Sequence, residues 1–344
     1  MNTCMIKDVT KLEEAAKILQ SGGLVASPTE TVYGLCANAL DEVAVSHIYE
    51  AKGRPSDNPL IVHIATLEML PSLVLEVSDI AKRLIEHFWP GPLTLIFKAS
   101  PRVPKIVTGG LDTVAIRFPS HPVMQRLINT SGLPLAAPSA NTSGKPSPTN
   151  AKRVLEDLEG KIDAVIMGES CEYGVESTVV DTIGEVATIL RPGGITYDML
   201  ESVLGKVAMD PALGHPLEKG EKPKAPGMKY THYSPNAKVI IVKGIPSKLP
   251  AYINTLVASD KAQGKKVGVL ATDELFSKFQ ADLVLSCGSI SDLNTVSAKL
   301  FEALRLFDDA HMDVVYSLAF PKEGIGEAIM NRLEKSAGYH IIEL

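Results

Sequence analysis

The sequence predicts an α/β protein in two parts, a mixed twisted sheet with helices over residues 1–205 and a small parallel, Rossmann-like sheet over 238–344. Three observations carry this. Short apolar runs of strand length recur through the first part, with helix-like stretches between some of them. At Lys206 the pattern stops, and up to Ala237 there are five prolines among Gly214, Gly220 and Gly227 with no periodic apolar spacing. Beyond that stretch, apolar runs alternate with long helical ones, the β-then-α order of a parallel sheet. At roughly 100 to 200 residues per domain, 344 residues accommodate both parts.

The first helix is expected in "TKLEEAAKILQS" (10–21). Thr10 stands three positions before Glu13, the spacing of a capping box, and Leu12, Ala15, Ala16 and Leu19 share one face. Gly22 and Gly23 end it. Strands are expected at "LVASP", "PLIVHI", "LTLIFKA", "TVAIRF", "PLAAPS", "DAVIMG", "STVVDT" and "VATILRP". Helices are expected at "SDIAKRLIEHF", "HPVMQRLINT" and "TNAKRVLEDLEG", the last with Thr149 as its N-cap. Residues 206–237 read as a linker. A structureless stretch of this length is uncommon inside a compact domain, and its end, "APGMKYTHYSP", gathers Tyr230, His232 and Tyr233, so it is a candidate active-site lid as well as a tether. "KVIIVKG", "KVGVLAT", "ADLVLSCG" and "VVYSLAF" then supply the strands of the second sheet.

Composition excludes several classes. With 45% hydrophobic and 22% charged residues the chain is globular, and no apolar run is long enough for a membrane-spanning helix. The N-terminus lacks the apolar core of a signal peptide, so a cytoplasmic location and no membrane partner are expected. Four cysteines are scattered without CxxC pairing, which argues against a disulfide framework and a zinc ribbon. The formal net charge is -6, and residues 1–205 carry 17 Lys and Arg against 24 Asp and Glu. A broad nucleic-acid surface is disfavoured, and any anion site must be local.

Familiar catalytic motifs are missing. Gly144-Lys145 is followed by Pro146 and lacks the spacing of a phosphate loop. "GIGEAI" (324–329) lacks the third glycine of a dinucleotide fingerprint and reads as a helix start. There is no HExxH or GxSxG. What remains is a set of polar residues where apolar strands end, the place where α/β sheets bind ligands. "KGRPSDNP" (52–59) sets Lys52 and Arg54 either side of a glycine with Pro55 behind them, the character of a preorganised phosphate clamp. Arg117 stands inside a strand, where an arginine needs a partner or an anion. "APSANTSGKPSPT" (137–149) adds Ser139, Asn141 and Ser147, and further strand ends add Ser177 and Arg191. His63 in "LIVHIA" reads, on its own, as a satisfied core residue.

These motifs in this order resemble the two-domain form of threonylcarbamoyl-AMP synthase, a YrdC-like domain joined to a smaller C-terminal domain. The resemblance spans essentially the whole chain. It rests on a KxR…SxN pattern at Lys52, Arg54, Ser139 and Asn141, and on "PTETVYGL", "KGRPSDNPLIVHI", "WPGPLT", "APSANTSGKPSPT", "GVESTVVD", "LRPGGIT" and "PGMKYTHYSP". Cys36 departs from the glycine common in the family. The resemblance implies that L-threonine, bicarbonate or CO2, and ATP give L-threonylcarbamoyladenylate and pyrophosphate, with Mg2+ arriving on ATP. A downstream tRNA threonylcarbamoyl-transfer complex then uses the product, and direct tRNA contact is not required. Lys52, Arg54, Ser139 and Asn141 are implied as catalytic. Thr31, His63, Arg117, Ala137 and Ser177 are implied for threonine. Lys52, Arg54, Asn58, Thr113, Ser139, Ser147, Arg191 and a linker tyrosine, Tyr233 or Tyr230, are implied for the nucleotide. Three other readings compete: a tRNA-binding module without catalysis, a carbamoyl-transferring enzyme of the hydrogenase-maturation type, and a scaffold that recruits partners through its C-terminal domain. Acidic balance weighs against the first, and the second requires additional regions missing here.

Overall fold

The structure, a computed structural model, describes residues 2–214 and 233–344. They divide into two units, 2–143 with 147–214 and Gly144–Pro146 with 233–344.

The first unit contains strands Cys4–Ile6 (β1), Val25–Ser27 (β2), Gly34–Asn38 (β3), Ile61–His63 (β4), Leu93–Lys98 (β5), Thr113–Arg117 (β6), Leu135–Ala136 (β7), Ala164–Ile166 (β8), Thr178–Asp181 (β9), Ala187–Arg191 (β10) and Val207–Met209 (β11). They form one mixed sheet in the order β1-β8-β2-β3-β7-β4-β6-β5-β9-β10-β11. Its helices are Glu13–Gln20 (α1), Glu42–Lys52 (α2), Asp79–Phe88 (α3), Lys105–Thr108 (α4), Pro122–Ser131 (α5), Ala151–Leu158 (α6) and Tyr197–Leu204 (α7). Local chemistry sets their ends. Asp41 caps α2 by accepting from Val43 N and Ala44 N, and Gly53 stops it in the left-handed region at φ 61°, immediately after Lys52.

Three local expectations are corrected. The capping box at Thr10 does not form, because Asp8 accepts from both Thr10 N (3.0 Å) and Thr10 Oγ1 (2.6 Å); α1 starts at Glu13 with Leu12 as an N-cap that makes no side-chain bond. Asn150, not Thr149, caps α6 by accepting from Arg153 N at 3.1 Å. The expected linker begins too early: Val207–Met209 pairs parallel with β10, with Val207 buried, so the sheet continues past residue 205.

Alternation along the strands sorts their apolar side chains onto two faces. One face carries Leu35, Ala37, Val62, Leu93, Leu95, Phe97, Val114, Ile116, Val180 and Ile189, buried with residues from α2, α3, α6 and α7. The opposite face is itself divided. On the half built from β1, β8, β2, β3 and β7, residues such as Val25, Cys36 and Leu135 pack with Leu12, Ala15 and Leu19 of α1 and its flank and Met124, Leu127 and Ile128 of α5. On the half built from β4, β6, β5, β9 and β10, the apolar cluster is Ile61, Ala115, Ile96, Val179 and Leu190, and none of the five comes from a helix.

The second unit contains Lys238–Lys243 (β12), Leu249–Ala262 (α8), Val267–Ala271 (β13), Leu283–Ser286 (β14), Leu293–Asp309 (α9), Val314–Leu318 (β15), Gly326–Ser336 (α10) and Ile341–Glu343 (β16). Its sheet, in the order β14-β13-β15-β12-β16, is parallel throughout, as expected from the β-then-α order. "GIGEAI" does open a helix, α10. Gly144–Pro146 counts with this unit, where Ser234 N donates to Gly144 O (2.9 Å) and Arg305 Nη2 to Pro146 O (2.6 Å). Among the described residues no helix is long and apolar enough to cross a membrane.

Candidate active site

The sheet half whose apolar cluster draws on no helix carries polar groups at the ends of its strands. Ile61 and His63 on β4, Thr113, Ala115 and Arg117 on β6, and Thr94, Ile96 and Lys98 on β5 share one face by alternation and register. The apolar members form the floor. At one end His63 and Arg117 are register partners, and Arg117 is in turn the partner of Thr94.

Arg117 is 4% exposed and held on several sides. Nη1 donates to Thr31 Oγ1 at 2.8 Å, Nε to Gly91 O at 3.4 Å, and Nη2 lies 2.7 Å from Glu30 Oε1. The partner that a strand-interior arginine requires is therefore Glu30, from the loop after β2. Burial alone would raise the Glu30 carboxyl; the Arg117 guanidinium and the hydrogen bond from Ser120 N outweigh it and hold the pKa below the ordinary value, so the pair is ionised. Burial, then the neighbouring Arg117 charge, lowers His63 to about 3. The ring is neutral near pH 7. Its Nδ1 lies 3.2 Å from Ile61 O, which can only accept, so the hydrogen sits on Nδ1 and Nε2 is left as an acceptor.

Beside Arg117, Thr94 Oγ1 and Ser177 Oγ are 2.7 Å apart. Arg191, the last residue of β10, donates from Nε and Nη2 to Ser177 O (3.1 and 3.0 Å) and from Nη2 to Ser177 Oγ (3.1 Å). The fold thus gathers five expected residues, Thr31, His63, Arg117, Ser177 and Arg191, at one end of the floor, all buried.

A second group forms where β4 begins and β7 ends. β7 runs antiparallel to β4, so Ala137 N donates to Ile61 O (2.9 Å) and the chain carries on to Ser139, which bridges Gly34. Lys52 is 1% exposed and reaches this loop from the end of α2. Nζ donates to Ser139 O (2.5 Å) and Asn141 O (2.6 Å), while its own carbonyl accepts from Ser143 N. Ser139 Oγ donates to Asn141 Oδ1 at 2.5 Å. Arg54, half-buried beyond Gly53, donates from Nη2 to Pro59 O (3.1 Å) and from Nε to Asn58 O (3.4 Å). Asn58 is 1% exposed and its Oδ1 has no hydrogen-bond partner.

Other expected residues lie elsewhere or are engaged differently. Ser147 Oγ donates to Glu176 Oε1 at 2.5 Å, both side chains buried. Thr113 shares the site face but sits at the far end of β6, opposite Lys98. It is four strand steps, about 13 Å, from Arg117. There it borders an open hollow of about 750 Å3 shared with Lys98, Val103, Thr108 and Leu111. Tyr233 belongs to the second unit: its ring is 5% exposed, stacks on Phe301 with centroids 5.2 Å apart, and has the Arg332 guanidinium 5.5 Å from its centre. This is where the structure places the linker tyrosine preferred for the nucleotide. Tyr230 lies outside the described residues, as does the middle of the expected lid. Among the described residues no group of three or more His, Cys, Asp or Glu forms a metal-binding cluster.

Glu30, Thr94 and Glu176 were not singled out from sequence. Glu30 had a signal: an acid in the loop "SPTETVYGL" is the natural answer to an arginine that must have a partner. Thr94 is a hydroxyl in an otherwise apolar strand, at a position whose facing only the register reveals.

A family model described as telomere recombination matches residues 17–193, and one described as the threonylcarbamoyl-AMP synthase C-terminal domain matches residues 195–338. The threonylcarbamoyl-AMP synthase of Bacillus subtilis is 49% identical over 333 residues, covering 96% of this chain and 94% of its own. That of Pyrococcus abyssi is 48% identical over 335 residues, covering 97% and 96%. The crystal structure of Sua5 from P. abyssi complexed with L-threonine matches over 100% of both chains, with 46% identity and a TM-score of 0.93.

Proposed function

The chain belongs to the threonylcarbamoyl-AMP synthase family, and we propose that the half of its N-terminal sheet built from β4, β6, β5, β9 and β10 joins L-threonine, bicarbonate or CO2, and ATP into L-threonylcarbamoyladenylate and pyrophosphate. One observation supports this placement above the others. Two polar groups, Arg117 with Thr31, His63 and Ser177, and Lys52 with Arg54, Ser139 and Asn141, stand at opposite ends of β4 with an apolar floor on the strands between them.

The reaction must bring two anions together. The threonine amine adds to CO2 and gives up a proton to solvent to form a carbamate, one carbamate oxygen forms a bond to the α-phosphorus, and the bond from that phosphorus to the bridging oxygen of pyrophosphate breaks in line. Positioning and charge neutralisation carry such a step, with no covalent enzyme intermediate. Thr31, His63, Arg117, Ala137 and Ser177 hold threonine, with the Arg117 fork suited to a carboxylate. Arg54, Asn58, Ser139 and Arg191 take the phosphates, and Thr113 the far end of the nucleotide. Lys52 acts mainly by fixing the loop that presents Ser139 and Asn141. Ser147 contributes through its bond to Glu176. Mg2+ arrives on ATP and keeps several of its waters. Product release to a tRNA threonylcarbamoyl-transfer complex in the cytoplasm completes the reading.

The test is pyrophosphate release from ATP with each other substrate omitted in turn. Release that needs both threonine and bicarbonate is expected. Equal release without threonine overturns the assignment.

A further inference from the structure

Glu30 and Arg117 each keep one polar atom without a hydrogen-bond partner inside the protein. Glu30 Oε1 accepts from Ser120 N and lies 2.7 Å from Arg117 Nη2, yet Glu30 Oε2 has no partner. Arg117 Nη2 has none either: it is close enough to Oε1 for an ion pair but off the line that a hydrogen bond needs. Both side chains are 4% exposed. Buried orphans of this kind are rare in native interiors.

Neither group is free to swing and satisfy the other. Arg117 is fixed through Thr31 Oγ1 and Gly91 O. Glu30 sits on a tight turn whose Thr29 hydroxyl accepts from Thr31 N (3.1 Å) and Val32 N (3.2 Å), and its own carbonyl accepts from Tyr173 N. His63, the register partner of Arg117 on the next strand, is neutral and adds no charge.

The charges decide what can enter. Glu30 already cancels Arg117, so a plain carboxylate approaching the guanidinium also meets an anion. A molecule carrying a carboxylate and an ammonium on adjacent atoms meets an opposite charge at each end. One unpartnered donor beside one unpartnered acceptor complements a zwitterion.

We infer that Glu30 is a specificity-determining residue, whose Oε2 accepts a hydrogen bond from the substrate α-ammonium while Arg117 Nη2 donates to the α-carboxylate. The site therefore selects a free α-amino acid over a carboxylic acid of the same shape. This rests on the threonine pocket proposed above.

The test is equilibrium binding to the full chain, without ATP or bicarbonate, of L-threonine and of its analogue with a hydroxyl in place of the α-amino group. Wild-type protein should prefer threonine by about tenfold or more, the worth of one charge-assisted hydrogen bond. Glu30→Gln should bring the two ligands within about threefold of each other. A Glu30→Gln variant that weakens both equally and keeps the wild-type ratio overturns the inference, because Glu30 then acts only by holding Arg117. Equal binding of the two ligands by wild-type protein also overturns it, whether or not the variant folds. Binding of neither ligand to wild-type protein removes the threonine pocket itself, and the inference with it.

Discussion

Lys52 and Ser139 are joined across 87 residues of sequence by a hydrogen bond from Nζ to the Ser139 carbonyl oxygen at 2.5 Å, with a second to Asn141 O at 2.6 Å. The lysine of the KxR…SxN pattern thus builds the loop that carries the rest of the pattern. Lys52→Met keeps the length of the side chain but strips both carbonyls, one buried and one part-buried, of this donor. At about 1–3 kcal/mol for each unsatisfied group, a loss of about 2–6 kcal/mol is expected, seen as a lower urea midpoint together with loss of pyrophosphate release. A variant that loses activity at unchanged stability would make Lys52 a ligand group and nothing more.

Arg54 differs in being half-buried and anchored by backbone carbonyls of its own turn. Arg54→Ala removes charge from the phosphate end without opening the core. Turnover of ATP should fall at least tenfold, by about 1.5–3 kcal/mol, with the thermal midpoint nearly unchanged. Full activity in a folded variant would exclude Arg54 from the reaction.

His63 makes stability depend on pH. In the folded protein its pKa is about 3 against an ordinary 6.5, so between those values the unfolded chain binds a proton that the folded chain refuses. The contribution is complete above about 6.5 and declines as the pH falls towards 3. From about pH 6 to pH 5, wild type should lose about 1 kcal/mol per pH unit that His63→Gln does not. His121, also lowered by burial, titrates in both proteins and cancels in the comparison. Parallel unfolding curves for the two proteins would show that His63 is protonated in the fold.

Helix α6 offers a direct check on the local structure. Asn150 accepts from Arg153 N, so Asn150→Ala should cost about 1 kcal/mol, whereas Thr10→Ala should cost less because the Thr10 hydroxyl serves Asp8 and not α1. Chemical denaturation of the two variants distinguishes them.

Much of this fold was legible because its signals are local. "HPVMQRLINT" became α5, with Pro122 at its start and Gly132 after its end, and "LTLIFKA" became β5. The same holds for the parallel C-terminal sheet. What was misjudged depended on competition or on distance. Thr10 had the right spacing for a cap but a better acceptor two residues away at Asp8. Val207–Met209 is a three-residue strand just before Pro211, too short to stand out before a proline-rich stretch. Within the site, the residue types at strand ends could be read, but their pairing could not. That Glu30 answers Arg117, that Thr94 meets Ser177, and that Lys52 serves Ser139 and Asn141 are consequences of strand order and register. The packing of the Tyr233 ring was out of reach for a similar reason: nothing near it in sequence indicates Phe301 or Arg332.

The central claim is that one hollow joins a carboxylated amino acid to the nucleotide. Its most direct test is the mass of the product formed from carbon-labelled bicarbonate, L-threonine and ATP. A single adduct of AMP and threonine retaining the labelled carbon, formed in step with pyrophosphate, is the predicted result. Pyrophosphate released with no label in any nucleotide-linked product would contradict it.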